Sequence, residues 1–267
     1  MQVRDAVAIV VGASGGIGSA TVHAFARAGA HLVLAAPANE SETLDRLVGE
    51  AAAYGVRALA VPADITSRAQ IDALIDTALA TFGRIDVLAN IAGIGSRPSL
   101  CDSTDDEIVR VFDVNLIGAA RLMHAVLPAM RRQGRGAVVN VGSIAGEAGI
   151  MGVYSASKFG MRGLCDSVRR EVRSEGIAVS LIEPGFVRTA MNAAMGAGLP
   201  GPEIVADAIV AAVRRPRRAR IVPKRYIVAV MLVRALPWFV DLVFGDARIQ
   251  KRLNRDARAE AAAKPRG

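Results

Sequence analysis

Tyr154 and Lys158 stand four residues apart at the start of an apolar-periodic stretch, and Ser143 precedes the tyrosine by 11 residues. On a helix, the four-residue spacing places both side chains on one face, within reach of one atom. A phenol with an ordinary pKa of about 10 is a poor acid or base at neutral pH. A neighbouring ammonium favours the phenolate and draws that pKa towards the useful range. A serine hydroxyl nearby can hold a carbonyl or alcohol oxygen beside the phenol. The set Ser143, Tyr154 and Lys158 is therefore suited to moving a proton on and off such an oxygen. A lone Y-x-x-x-K pair recurs on many solvent-facing helices, so its weight depends on the rest of the chain.

The elements that must position these residues alternate. Val7 to Val11 is a short continuous apolar run of the kind shown by a buried parallel strand. It opens into Gly12-Ala13-Ser14-Gly15-Gly16-Ile17-Gly18, followed by a helical pattern to about Ala28. Strand, glycine turn and helix together present backbone N–H groups and a helix N-terminus to a pyrophosphate. The spacing is G-x-x-x-G-x-G, not G-x-G-x-x-G, and no P-loop lysine is present, which disfavours a nucleotide triphosphatase. Such a turn also serves plain close packing of strand on helix.

Further strands are expected at 31–35, 58–62, 87–90, 137–141, 178–182 and near 219–222. Helices are expected between them at about 41–54, 66–82, 104–133, 153–175 and 202–214. This alternation predicts an α/β fold: a single-domain, doubly wound parallel sheet of Rossmann type with helices on both faces. The end of the second strand is where an acid takes a ribose 2′-OH or a base takes a 2′-phosphate. Ala36 and Pro37 stand there, so neither signal is given. Asn115 interrupts an apolar helical stretch, where an asparagine can equally be exposed or bond its own backbone.

The chain has 267 residues, 52% of them hydrophobic, enough for one large core. Two distant cysteines, Cys101 and Cys165, argue against a disulfide framework and for a reducing, cytoplasmic compartment. Three unclustered histidines predict no metal site, and no secretory leader pattern opens the chain. Residues from Arg214 onward hold 15 Lys/Arg against 4 Asp/Glu, a surplus of 11, so the other 213 residues carry −3 of the total +8. The basic character is a C-terminal appendage, which argues against a nucleic-acid enzyme and for a local electrostatic surface.

Taken in order, V-G-A-S-G-G-I-G at Val11 to Gly18, A-D-I at Ala63 to Ile65, N-I-A-G at Asn90 to Gly93, Asn115, Ser143, Y-S-A-S-K at Tyr154 to Lys158 and P-G-F-V-R-T at Pro184 to Thr189 resemble the short-chain dehydrogenase/reductase family. The resemblance covers about residues 5 to 222. It implies an NAD(P)-dependent oxidoreductase moving hydride between nicotinamide and a secondary alcohol/ketone pair. It gives Tyr154 the acid/base role, Lys158 the nicotinamide ribose, Ser143 the substrate oxygen and Asn115 a water in the proton relay. It assigns the cofactor's pyrophosphate and adenosine side to Gly12, Ser14, Gly16, Ile17 and Gly18. Asp64 with Ile65 falls to the adenine, Asn90 and Gly93 to the adenosine ribose region, and Pro184, Gly185, Val187 and Thr189 to the carboxamide. It also implies a homodimer or homotetramer built through the helices at about 105–133 and 153–175.

Four departures stand out. Val11 replaces the usual threonine before the first glycine, Ile91 replaces the second asparagine of N-N-A-G, and the Ser143–Tyr154 spacing is short. The fourth is the missing cofactor-selecting residue. Absence of an acid removes repulsion towards a 2′-phosphate, and Asn39 and Ser41 can donate to one, so between NADP and NAD the balance tilts to NADP.

Residues 1–225 then form the dinucleotide-binding catalytic domain, with a substrate loop over 186–201 rich in methionine and glycine. Residues 226–245 form an apolar segment interrupted by Arg234, Pro237 and Asp241, which is a lid, an interface or a peripheral contact with an anionic membrane rather than a spanning helix. Residues 246–267 read as a basic flexible tail. An apolar lid and a Met-rich loop suggest an apolar alcohol or ketone substrate. A catalytically idle dinucleotide-binding sensor or membrane-docked scaffold is the competing reading, and a lyase or epimerase using the same tyrosine is a third.

Overall fold

Strand β1 (Val7–Val11) is buried along its whole length and divides its side chains between two cores. Ala8 and Val10 join one cluster, Ile9 and Val11 the other. This is the period-two alternation of a strand covered on both faces. The computed structural model describes residues 1–96, 99–190, 192 and 198–246, with the side chain of Phe239 excepted. Met191, Met195 and Gly196 of the expected substrate loop, and the tail from residue 247, lie outside the described residues.

In chain order, β1 is followed by α1 (Gly16–Arg27), β2 (His31–Ala35), α2 (Ser41–Ala52), β3 (Ala58–Ala60), α3 (Arg68–Phe82) and β4 (Val87–Asn90). Next come α4 (Asp105–Phe112), a π turn (Asp113–Gly118), α5 (Ala119–Gln133), β5 (Gly136–Val141), α6 (Ala145–Ala148) and α7 (Gly152–Glu171). The chain continues through β6 (Ile177–Pro184), α8 (Glu203–Arg214), β7 (Ala219–Val222), α9 (Tyr226–Ala235) and α10 (Pro237–Phe244). The seven strands lie in the order β3-β2-β1-β4-β5-β6-β7. Every neighbouring pair is parallel.

Helices α1, α2 and α8 cover one face through Phe25, Leu44, Leu47 and Ile209. Helices α3, α5 and α7 cover the other through Leu74, Leu122, Met123 and Met161. The run Asp105–Gln133 has the length and apolarity of a membrane span. Its apolar stripe is spent on the sheet, however, with Leu122, Met123, Val126 and Met130 buried. The strand order reverses direction between β1 and β4. At that point the carboxyl ends of adjacent strands diverge, and a crevice opens for a ligand.

Local signals explain the element ends. Ser67 caps α3, accepting from the Gln70 N–H, and Gly83 closes it in the left-handed region at φ 74°. Thr104 and Glu107 form a reciprocal capping box at α4. The single long helix expected at about 104–133 is instead broken by the π turn, and the helix carrying Tyr154 ends at Glu171, where the periodicity ran on to about residue 175. The short helix α6 follows Ser143 directly and was not expected.

Candidate active site

The glycine turn is built to receive something close to its backbone. Gly12 sits at φ +79°, and a Cβ there would lie 2.7 Å from the Ala92 nitrogen. A Cβ on Gly18 would lie 1.9 Å from the Gly12 carbonyl oxygen. Only glycine fits either position. Gly15 is the N-cap of α1 and offers no side-chain cap, so the helix's leading N–H groups face the crevice for an anionic ligand. The support that a threonine at 11 would lend is replaced by backbone: the Gly12 and Ala13 N–H groups both donate to the Ala35 carbonyl, at 2.8 and 3.1 Å. Ser14 is half-buried between them and the helix.

Across the crevice, β5 and β6 stay stitched together beyond their last paired residues. The Gly142 N–H donates to Ile182 O at 2.7 Å and the Ile144 N–H to Pro184 O at 3.0 Å. These bonds hold the Ser143 turn beside Pro184 and Gly185. Thr189 reaches back to Gly16, where a Cβ would meet its methyl at 3.4 Å, and Val187 is buried. The first turn of α1 and the segment after β6 therefore close over the same end of the sheet.

Tyr154, Lys158 and Asn115 lie between these walls. Tyr154 is 9% exposed, Lys158 4% and Asn115 not at all. The Lys158 ammonium donates to Val141 O at 3.1 Å and lies 5.6 Å from the Tyr154 ring centroid. Burial lowers its pKa to about 8, with the Cys165 thiol acting weakly the other way. Burial also raises the Tyr154 phenol, and a hydrogen bond with Ser143 partly offsets that rise. The expectation that the ammonium pulls the phenol down is therefore not met here. Lys158 is committed to a backbone carbonyl, and desolvation is the largest influence on both groups. Cys165, also buried, is pushed up to about 12 and is chemically inert.

Asn115 stands in the π turn, a bulge of the sort that clusters at functional sites. Its amide clamps the segment after β4: Oδ1 accepts from the Ile94 N–H at 2.8 Å, and Nδ2 donates to Ile94 O at 2.9 Å and to Ser157 Oγ at 3.1 Å. Gly93 lies under this clamp, where a Cβ would be 3.2 Å from both Asn115 Oδ1 and Lys158 Nζ. Asn115 is thus bound to a neighbouring segment and to Ser157, neither exposed nor bonded to its own helix.

Asn90 ends β4 with its Nδ2 donating to Asn140 Oδ1 at 3.0 Å, while its own Oδ1 is buried without a partner. An unsatisfied buried acceptor at the crevice is a place for a ligand hydroxyl. Asp64 is exposed and accepts from the N–H and hydroxyl of Thr66, both at 2.8 Å. Ile65 has its side chain in the core against Gly118, which leaves only its backbone to the crevice. The Ser41 hydroxyl donates to Ala38 O at 2.6 Å, so of the two proposed 2′-phosphate donors Ser41 has its proton engaged, while Asn39 is exposed.

Three residues escaped the sequence reading. Asn140, in mid-strand β5, braces Asn90; Ser157 ties Asn115 to the Tyr154 carbonyl at 2.8 Å; and Ser96 accepts from the Tyr154 N–H at 3.1 Å. An asparagine inside the apolar run V-V-N-V was the available signal for the first. The serines gave none, because the Asn115 amide that Ser157 meets and the Tyr154 N–H that Ser96 accepts from lie 42 and 58 positions away.

A glycine-walled crevice at the switch point of a doubly wound sheet, with a buried Tyr–Lys pair and a half-buried serine at its end, defines a nicotinamide-dependent oxidoreductase acting on carbonyl and alcohol groups. The chain matches the short chain dehydrogenase family over residues 6–199 and belongs to that family. It is 39% identical to a 3-oxoacyl-[acyl-carrier-protein] reductase of Synechocystis over 70% of this chain and 76% of that protein. It is 33% identical to a glycine betaine reductase of Emericella nidulans over 79% of this chain, a match that spans only 18% of that longer protein. Among solved structures, a short-chain dehydrogenase/reductase of Burkholderia phymatum in complex with NAD superposes with a TM-score of 0.83 at 27% identity, covering 90% of this chain and 96% of that one. One of Burkholderia cenocepacia in complex with NADP gives 0.76 at 27% identity, covering 83% and 97%. The cofactor class is a nicotinamide dinucleotide, NAD or NADP.

Proposed function

We propose that the protein is an NADP-preferring reductase or dehydrogenase of apolar secondary alcohols and ketones, with Tyr154 as its acid/base. The convergence of Ser143, Tyr154, Lys158 and Asn115 on one buried end of the crevice is the observation that carries this reading. A bound dinucleotide would supply or accept the hydride at the substrate carbon. Tyr154 gives a proton to the carbonyl oxygen in reduction and takes it back in oxidation. Ser143 Oγ holds that oxygen next to the phenol. Lys158 would hold the ribose hydroxyls of a bound dinucleotide and, with its ammonium 5.6 Å from the Tyr154 ring, would favour the phenolate, and Asn115 keeps the Gly93–Ile94 wall and Ser157 in place behind it, where it can also hold a relay water. Gly12, Ser14, Gly16, Ile17 and Gly18 hold the pyrophosphate and adenosine side; Asp64, the Ile65 backbone, Asn90 and Gly93 the adenosine; and Pro184, Gly185, Val187 and Thr189 the carboxamide.

Several features support the finer points. The lack of an acid at Ala36 and Pro37 favours NADP, and the apolar α9 beside the Ser143 turn favours an apolar substrate. Val109, Ile117 and Phe159, exposed on α4, the π turn and α7, form an apolar face suited to a homodimer or homotetramer. The two free cysteines suit the cytoplasm. The test is Tyr154→Phe: turnover of apolar ketones should fall at least about a hundredfold, while a fluorescence titration with NADPH is unchanged and NADH binds more weakly. Retained turnover removes Tyr154 from the chemistry, and no binding of either dinucleotide to folded protein returns the chain to a scaffold role.

A further inference from the structure

Helices α9 and α10 are apolar and turned outward. Of their described side chains only Val230 is buried, whereas Val228 is 65% exposed, Met231 63%, Leu232 49%, Trp238 62% and Leu242 68%. Val228, Met231 and Leu232 share one face of α9 by their three- and four-residue spacing, and Trp238 and Leu242 share one face of α10 with the exposed Asp241 beside them. The one charged residue of α9, 48% exposed at its side chain, is ion-paired. Arg234 donates to both carboxylate oxygens of Glu147, at 2.8 and 2.6 Å, and Glu147 is paired in turn with Arg162, which also holds Glu183. Tyr226, at the head of α9, lies on Gly185. Helix α9 is therefore tied to α6 and β7, and α10 packs on α9, with most of their apolar side chains exposed.

The rim of this surface is basic. Lys224 and Arg225 are exposed at the turn leading into α9. Neither helix can cross a bilayer: they have 10 and 8 residues, and the chain leaves the helical region between them at Leu236, φ −131° and ψ 63°. At 1.5 Å per residue they reach about 15 and 12 Å, short of the about 30 Å of a hydrocarbon core.

We propose that α9 and α10 lie in the plane of an anionic membrane surface, apolar side chains in the acyl boundary and the basic rim on the headgroups. A second copy of the chain is the rival occupant. A two-fold contact through the same patch would bring two basic rims together, which charge opposes and an anionic bilayer satisfies. The arrangement opens the substrate crevice beside the lipid, so that an apolar ketone dissolved there enters without crossing water.

Trp238 is the only tryptophan, so emission reports α10 alone. Full-length protein is mixed with phosphatidylcholine vesicles, with and without about one part in three of phosphatidylglycerol, then followed by emission and by flotation. Anionic vesicles should shift emission to the blue and carry the protein upward; neutral vesicles or high salt should do so weakly. Met231→Glu and Leu242→Glu should each lower partition at least about tenfold, and Lys224→Glu with Arg225→Glu about fivefold per cation removed on anionic vesicles only. NADPH titration of each variant reads the fold separately from the membrane contact. Emission and flotation indifferent to vesicles overturn the proposal. So does emission that is already blue without lipid and moves red on dilution as the particle becomes smaller, because the patch is then covered by a second copy.

Discussion

Replacing Lys158 by methionine separates what the lysine does for the reaction from what it costs the fold. Its ammonium is buried, and its pKa falls from 10.5 to about 8. Each tenfold step of that equilibrium is worth about 1.4 kcal/mol, so holding the charged form inside costs about 3 kcal/mol at neutral pH. Methionine keeps the length of the stem without the charge. It also gives up the 3.1 Å bond to Val141 O, a loss of about 1 kcal/mol or somewhat more. The net expectation is a gain of about 1–2 kcal/mol at pH 7, at about 2–4 °C of melting temperature per kcal/mol. The sign with pH follows from the direction of the shift. Between about 8 and 10.5 the unfolded chain binds more protons than the folded one, so wild-type stability rises with pH across that window. The variant lacks this group, so its advantage should be full below about 8, shrink as pH rises, and reverse to a deficit of about 1 kcal/mol near 10.5, where only the lost hydrogen bond remains. Calorimetry of both proteins from pH 7 to 10.5, beside turnover at pH 7, is the assay. Turnover should fall at least about a hundredfold. A variant less stable than wild type by the same margin at every pH refutes the claim that a desolvated ammonium sits at this position.

Other expectations follow from single contacts. Gly18→Ala places a Cβ 1.9 Å from the Gly12 carbonyl, so the turn must open; dinucleotide affinity should drop at least about tenfold and stability by about 1–3 kcal/mol, read by titration and melting. Arg234→Met leaves Glu147 and Glu183 sharing Arg162; since Arg234 is itself 48% exposed, the loss should be about 1–2 kcal/mol, and an unchanged melting temperature would mean the pair is solvated. Gly185→Ala drives a Cβ to 2.2 Å from the Tyr226 ring, which should loosen α9 and raise protease sensitivity near residues 223–226 before it alters the melting of the body.

Much of this was legible in the chain itself. The apolar run Val7–Val11 predicted a strand buried on both faces because a parallel sheet under two helix layers leaves no polar side. The unusual spacing of Gly12, Gly16 and Gly18 was the spacing of a turn that admits no Cβ at Gly12 or Gly18. Boundaries were less visible. The Asp105–Gln133 run gave no sign of its π turn, since widening a helix by one residue leaves the apolar period almost intact. The helix α6 was hidden because four residues carry no period.

Composition and order of motifs alone determined the family, the α/β architecture and the residues that meet at the crevice, because each of these rests on local backbone chemistry or on a fixed spacing along one element. Tertiary structure alone decided how those residues are spent. It showed that Lys158 is held by Val141 rather than by the phenol, that Asn115 braces Ile94, and that Ser41 is used up by its own turn. It also turned an ambiguous apolar segment into two short helices with an outward face, locked by Arg234 onto Glu147, 87 positions away in the chain. Contacts at that separation depend on which strands the sheet brings together, and no local pattern encodes them.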